Sequence, residues 1–167
     1  TYTSSNEFIL ESDFHTLRYE VNGNGTINGE SIQSVTHGGT GTEVTAEPEL
    51  GYHFAGWDDG NTNPTRTDTN ITEDRTYTAN FEINEYTIEY LTDGNGIIDG
   101  DASQTITHGQ DTTAVTAVAN PGYQFTRWEE DGSTDNPRSD SNITSDATYT
   151  ASFELIPDIV MIEAGPS

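Results

Sequence analysis

Short runs in which apolar and polar residues alternate, each broken by Gly, Asn or Asp, set the rhythm of this 167-residue chain. Leu17, Tyr19 and Val21 alternate with polar neighbours, and so do Tyr86, Ile88 and Tyr90. A period of two marks a strand with one face buried. Asn22-Gly23-Asn24-Gly25 and Asp93-Gly94-Asn95-Gly96 follow as tight turns, because these residues tolerate positive φ. Further strands are predicted over 31–36 and 103–107, over 43–46 and 114–117, and over the Gly-Tyr-x-Phe-x-x-Trp segments 51–57 and 122–128. A last strand, 76–82 and again 148–154, carries Tyr77, Ala79 and Phe81 on one face. No window sustains a 3.6-residue period, so little or no helix is expected, and none offers the roughly 18 apolar residues of a membrane span.

The strands come in two matching sets. Thr36-His37-Gly38 recurs as Thr107-His108-Gly109, and Gly51-Tyr52-His53-Phe54 with Trp57 as Gly122-Tyr123-Gln124-Phe125 with Trp128, both at an offset of 71. Asn70-Ile71-Thr72 returns as Asn142-Ile143-Thr144, and Thr76-Tyr77-Thr78-Ala79-Asn80-Phe81-Glu82 as Thr148-Tyr149-Thr150-Ala151-Ser152-Phe153-Glu154, at an offset of 72. The slip falls in the loop after each Trp, where an insertion is cheap. The organisation expected is an N-terminal flank (1–14), module 1 (15–84), module 2 (85–156) and a C-terminal linker or start of a next domain (157–167).

Composition sharpens this picture. Thr occurs 27 times and Leu 5 times, a usage that suits sheets rather than helices. Sixteen aromatic residues in a chain only 31% hydrophobic argue against a disordered acidic tail. The formal charge is −24, from 29 Asp and Glu against five Arg and no Lys. Such a field repels phosphate backbones and anionic membrane surfaces, which excludes nucleic-acid partners and membrane insertion from the expectations. Without Lys there is no Schiff-base chemistry and no Lys–Asn isopeptide crosslink; without Cys there are no disulfides and no thiolate chemistry.

The string Asn-Gly-x-Gly, Thr-His-Gly, Gly-Tyr-x-Phe-x-x-Trp, Asn-Ile-Thr and Tyr-Thr-Ala-x-Phe resembles the divergent internalin B-type B-repeat family across both copies. The resemblance implies two tandem small β-grasp-like modules, mainly β, from secreted or cell-surface proteins of bacteria. It implies a spacer or adhesive role and supplies no catalytic residues. The final stretch, 159–167, is similar to the opening of a PKD- or immunoglobulin-like domain.

Chemistry was sought in the remaining residues. His15, His37, His53 and His108 have no zinc-protease spacing. His37 and His108 stand between a strand and a Gly turn and are expected to be turn residues bonding neighbouring backbone. Asp58-Asp59 and Glu129-Glu130-Asp131 flank the Trp in equivalent loops, yet modules this small offer no deep cleft for a glycosidase pair. The segment from Asp93 to Asp99 begins like an EF-hand loop and fails at Ile97. A looser calcium site from Asp58, Asp59, Glu129, Glu130, Asp131 or Asp135 is the metal candidate, and no other cofactor is expected. Strict alternation lets Trp57 and Trp128 point outward, opposite to Tyr52 and Phe54 and to Tyr123 and Phe125, which makes them sugar-stacking candidates; the favoured reading is that they cap the small core with their indole N–H at its rim. Arg127, facing Gly56 of the other copy, is a further ligand candidate.

The function expected is a non-catalytic structural or adhesive spacer of a larger secreted or cell-surface protein. The alternative is a carbohydrate- or calcium-binding accessory domain of a secreted enzyme. Expected partners are neighbouring domains of the same chain and a surface glycan or protein, with the chain itself a monomer.

Overall fold

The first and last strands of each module lie side by side, and everything else is hung on that pair. A computed structural model describes residues 13–157. Most of the N-terminal flank and the segment similar to a following domain lie outside the described residues.

In module 1 the chain runs through β1 (Phe14–Asn22), β2 (Gly25–Asn28), β3 (Ile32–Thr36), β4 (Val44–Pro48), β5 (Tyr52–Trp57), β6 (Thr65–Arg66) and β7 (Arg75–Ile83). Four of these form a mixed sheet in the order β3-β1-β7-β5, and the others a smaller sheet, β2-β4-β6. β1 is antiparallel to β3 but parallel to β7, with Tyr19 opposite Tyr77 and Val21 opposite Ala79. Module 2 repeats the design with β8 (Glu85–Thr92), β9 (Gly96–Asp99), β10 (Ser103–Thr107), β11 (Thr116–Ala119), β12 (Tyr123–Trp128) and β13 (Ala147–Leu155). Its main sheet is β10-β8-β13-β12, again with a parallel middle pair. Its small sheet has only β11 and β9, and the counterpart of β6 shrinks to a bridge between Val115 and Arg138. The two compact units divide between Ile83 and Asn84, and no helix occurs among the described residues.

The alternation of β1 is realised in Leu17 and Tyr19, both buried, but not in Val21, which is 45% exposed where the strand runs past the core. The strands missed from sequence, β2, β9 and β6, are only two to four residues long, too short to show a period. β2 and β9 begin where the preceding turns return the chain: Gly25 and Gly96 press against the rings of Phe81 and Phe153, leaving no room for a Cβ.

The strict alternation breaks at the tryptophans. Phe54 pairs with Phe81, but Gly56 pairs with Asn80 and Trp57 with Ala79, so one residue of β5 is extra. The same bulge separates Phe125 from Arg127 in β12. A bulge adds one residue to one strand and so reverses its alternation beyond that point. Trp57 and Trp128 therefore face inward, 3% and 0% exposed, and belong to the core rather than to the outer face that unbroken alternation would give them. Trp57 meets Tyr19 and Phe54 edge-on with ring centres 5.9 and 5.8 Å apart; Trp128 meets Tyr90 and Phe125 at 5.7 and 5.8 Å. Burying a side chain of this size contributes about 1.5–3 kcal/mol, so a single indole is a large part of so small a core.

Candidate functional site

Beside each buried Trp lies a buried Arg. Arg66 and Arg138 are 6% and 5% exposed, the only buried cations among the described residues. The Arg66 guanidinium carbon sits 3.6 Å from the centre of the Tyr77 ring and 4.8 Å from that of Trp57. Arg138 lies 3.6 Å from Tyr149 and 5.3 Å from Trp128. An aromatic face attracts a cation most strongly when water is excluded, as here.

Such a charge needs carboxylates. Arg66 donates through Nε and Nη2 to Asp68 at 2.9 and 2.6 Å, and through Nη2 to Asp59 at 2.9 Å. Arg138 donates through Nε and Nη2 to Asp140 and through Nη1 and Nη2 to Asp131 at 3.2 and 2.8 Å. Tyr19 and Tyr90 complete the clusters by donating to Asp68 and Asp140, each at 2.7 Å. Burial disfavours charge on both guanidinium groups, but the hydrogen bonds they donate to the two carboxylates outweigh it and hold them above the ordinary Arg value. Burial opposes charge on Asp59 too, yet bonds from Arg66 and the Asn61 amide bring its carboxyl below the usual range. For Asp131 the Arg138 hydrogen bonds dominate and act in the same direction. Burial, offset in part by Thr112 and reinforced by Asp140, pushes the Tyr90 phenol up to about 12.

The loops that supply these carboxylates are wound by their own side chains. Asp59, Asn61 and Asn63 each accept from the backbone amide two residues on, at 3.1, 2.9 and 3.1 Å. Asp131 and Ser133 do the same at 2.9 and 3.2 Å. The Trp indoles pin the loop ends, Trp57 to the Asn63 carbonyl at 3.0 Å and Trp128 to that of Asp135 at 2.9 Å. Asn70 and Asn142 close the far side with φ of 54° and 52°, a conformation that Asn accepts better than most residues.

The calcium candidates are therefore dispersed. Asp59 and Asp131 hold an arginine, Glu130 accepts from the amide and hydroxyl of Thr150, and Asp58 and Glu129 are exposed. Asp135 contributes its main-chain carbonyl to Trp128. Among the described residues, no three His, Asp or Glu converge to hold a metal. The acidic loops that carry these candidates surround an internal guanidinium in each module. Asp93, at the rejected EF-hand start, bonds the amides of Asn95 and Phe153.

With both indoles buried, neither presents a face to a sugar. Arg127 is exposed within the bulge of β12, opposite Ser152, and has no ion pair among the described residues. Two open grooves beside the main sheets are lined without aromatics: about 350 Å³ beside Thr87, Glu89 and Asp146, and about 240 Å³ beside Thr16, Arg18 and Asp74. His37 and His108 bond side chains of the first strand rather than backbone through their rings. His37 Nδ1 lies 3.0 Å from His15 Nε2, and His108 Nδ1 lies 3.3 Å from the Tyr86 hydroxyl.

Arg66 and Arg138 escaped the sequence reading, although a signal was present. Only five Arg occur, two of them stand 72 apart, and each is followed two residues later by Asp. Gln33 and Gln104, 71 apart and buried, escaped in the same way. Their amides tie the turn after Glu30 to Thr42, and that after Asp101 to Thr113.

A family model described as the divergent InlB B-repeat domain matches twice in tandem, over residues 15–85 and 86–157. No curated protein matches the chain. Among solved structures, Streptococcal High Identity Repeats in Tandem (SHIRT) domains 3-4 from a cell surface protein align with 86% of this chain and 99% of their own, at 13% identity and a TM-score of 0.22.

Proposed function

The chain belongs to the divergent InlB B-repeat domain family, and from that membership we propose that it is a non-catalytic, load-bearing spacer of an extracellular or cell-surface protein. The observation that carries the proposal is the parallel pairing of β1 with β7 and of β8 with β13. The chain comes into a module along one strand of the pair and leaves along the other. Because the strands run the same way, the two chain ends of each module lie at opposite ends of its sheet. Tension on the chain then loads all the hydrogen bonds of the pair together, in shear, instead of opening them one by one. Antiparallel neighbours on both sides, β3 and β5 or β10 and β12, keep the loaded pair in the middle of the sheet.

The interior supports the same reading. Its polar groups are spent on holding loops: the arginines on paired carboxylates, the indoles on carbonyls, the glutamines on turn amides. Groups held in this way are not free for acid–base or nucleophilic work.

Single-molecule pulling through the two termini is the test. Two unfolding events of equal contour length are expected, each at a force well above that needed when the handles are moved to Phe14 and Thr36. Those two residues face each other across the antiparallel pair β1–β3, which peels from its end. Equal forces in the two geometries, or a gradual extension without discrete events, would overturn the load-bearing role.

A further inference from the structure

The fold accounts for only part of the recurring Asn-Ile-Thr motif. Ile71 and Ile143 are buried, and their main chains are bonded to the His-Gly turns: the Ile71 carbonyl accepts from Gly38 at 2.6 Å and the Ile143 carbonyl from Gly109 at 2.7 Å. The left-handed backbone of Asn70 and Asn142 turns the chain into that bridge. These facts explain the Ile and the Asn backbone. They leave the Asn side-chain amides and the hydroxyls of Thr72 and Thr144 unexplained. All four residues are exposed, and none of their side chains makes a hydrogen bond among the described residues. Beside Asn142 and Thr144 runs an open polar groove of about 400 Å³ lined also by Ser139, Ser141 and Ser145.

Asn-x-Thr with x other than Pro is the acceptor pattern for N-glycan transfer, in which the hydroxyl two residues on is what the transferase reads. We propose that Asn70 and Asn142 are glycan attachment sites, one on the same turn of each module. The donor is a sugar activated through a nucleotide or lipid pyrophosphate. The Asn side-chain nitrogen forms a bond to the anomeric carbon as the bond from that carbon to the phosphate oxygen breaks. The phosphate leaves with the electron pair, and the amide proton passes to a base of the transferase. A third such triplet, Asn24-Gly25-Thr26, lies in the turn after β1, while its counterpart Asn95-Gly96-Ile97 has the same turn without the hydroxyl. Asn95 is thus a control within the same chain.

The inference rests on the extracellular reading above, because the transfer acts on exported chains. The experiment is peptide mass mapping of the chain isolated from the cells that make it, after separating secreted, surface and cytosolic fractions. Glycan on the peptides of Asn70 and Asn142 in the exported fraction, with Asn95 bare, is the expected result. An exported chain bare at both sites overturns the glycan proposal and leaves the spacer reading standing; a chain confined to the cytosol overturns both. Thr72→Val and Thr144→Val each should lose the glycan at their own site alone, and Thr72→Ser and Thr144→Ser should keep it, with tryptophan fluorescence confirming that every variant is folded. Glycan retained in the Val variants would overturn recognition through this motif.

Discussion

The two modules close the same lock with different parts. In module 2, Asp131 receives two hydrogen bonds from Arg138, and the Tyr90 hydroxyl is also hydrogen-bonded to that of Thr112 at 3.0 Å. The same Thr112 hydroxyl accepts from the amide of Asp140 at 2.8 Å. In module 1 Asp59 receives one bond from Arg66, and Arg66 Nη1 is buried with no partner. The place of Thr112 is taken by Gly41, where a Cβ would meet Gln33 Oε1 at 2.6 Å and Leu17 Cδ1 at 2.7 Å. Module 1 compensates through its main chain, since β6 adds a strand to the small sheet. Module 2 lacks that strand and stitches the edge with the Asn136 side chain, which accepts from the Ala117 amide at 2.9 Å and donates to its carbonyl at 2.8 Å. One fold thus tolerates a trade between backbone pairing and side-chain bonds at the same edge. An unsatisfied buried donor costs about 1–3 kcal/mol, which makes module 1 the weaker copy at the lock itself.

Removing the locks should have the largest effect. Arg66→Ala and Arg138→Ala each remove the buried cation and leave a half-buried Asp68 or Asp140 without its partner, at a cost of up to about 3–5 kcal/mol. Each module has one Trp, so urea unfolding followed by fluorescence in a Trp57→Phe or Trp128→Phe background reads the copies separately. The damaged module should unfold early and the other should stay in place; joint loss would show that the copies are not independent. Arg→Lys at either site should not rescue, because an ammonium cannot make the forked contacts.

Next in size is the equalising change. Thr112→Ala removes two bonds from the better-closed lock and should cost module 2 about 1–2 kcal/mol. That narrows the gap between the unfolding midpoints. A gap that stays or widens would place the difference outside the lock.

Titration tests the electrostatics of both copies. Asp59 and Asp131 have lowered folded-state values, so their stabilisation is complete above the unfolded value near pH 4 and is lost as pH falls through the folded ones. Stability should therefore be flat from pH 7 to 5 in this contribution and fall steeply below about 4. Tyr90 is shifted the other way. Its contribution is present below about pH 10 and declines as pH rises toward about 12, a loss that Tyr90→Phe should remove.

The smallest effects are expected at the ends of the first strands. His15→Tyr converts the His–His contact of module 1 into the Tyr–His contact of module 2 and should change stability by no more than about 0.5 kcal/mol. Calcium against chelator should leave both melting transitions unchanged, since the loop carboxylates Asp59 and Asp131 are already satisfied by arginine. A rise in one transition alone would reveal a site that the lock does not pre-empt.

The long strands were legible because alternation and duplication reinforced each other: two copies of Gly-Tyr-x-Phe-x-x-Trp and Tyr-Thr-Ala-x-Phe are hard to misread. Alternation alone did not tell where each Trp points. A bulge leaves no mark in the pattern unless a Gly betrays it, and only Gly56 does, at φ 139°, while Arg127 hides the same irregularity in the other copy. The locks were missed for a related reason. A charged residue reads as surface, and nothing in local spacing shows that Tyr77, Trp57 and two carboxylates will enclose Arg66. Comparing the copies position by position would have found it.

The pairing of β1 with β7 also governs when a module comes into being. Val21 meets Ala79 across 58 residues of chain, and Thr92 meets Ala151 across 59. Contacts so distant in sequence make for slow, late closure, because the intervening loop must be ordered first. A chain emerging from a ribosome or a secretion pore cannot complete either sheet until the final strand of that module is out. Each repeat then closes on its own strands, in the order of emergence, so a long array would mature one unit at a time with at most one unfinished copy exposed to misassembly.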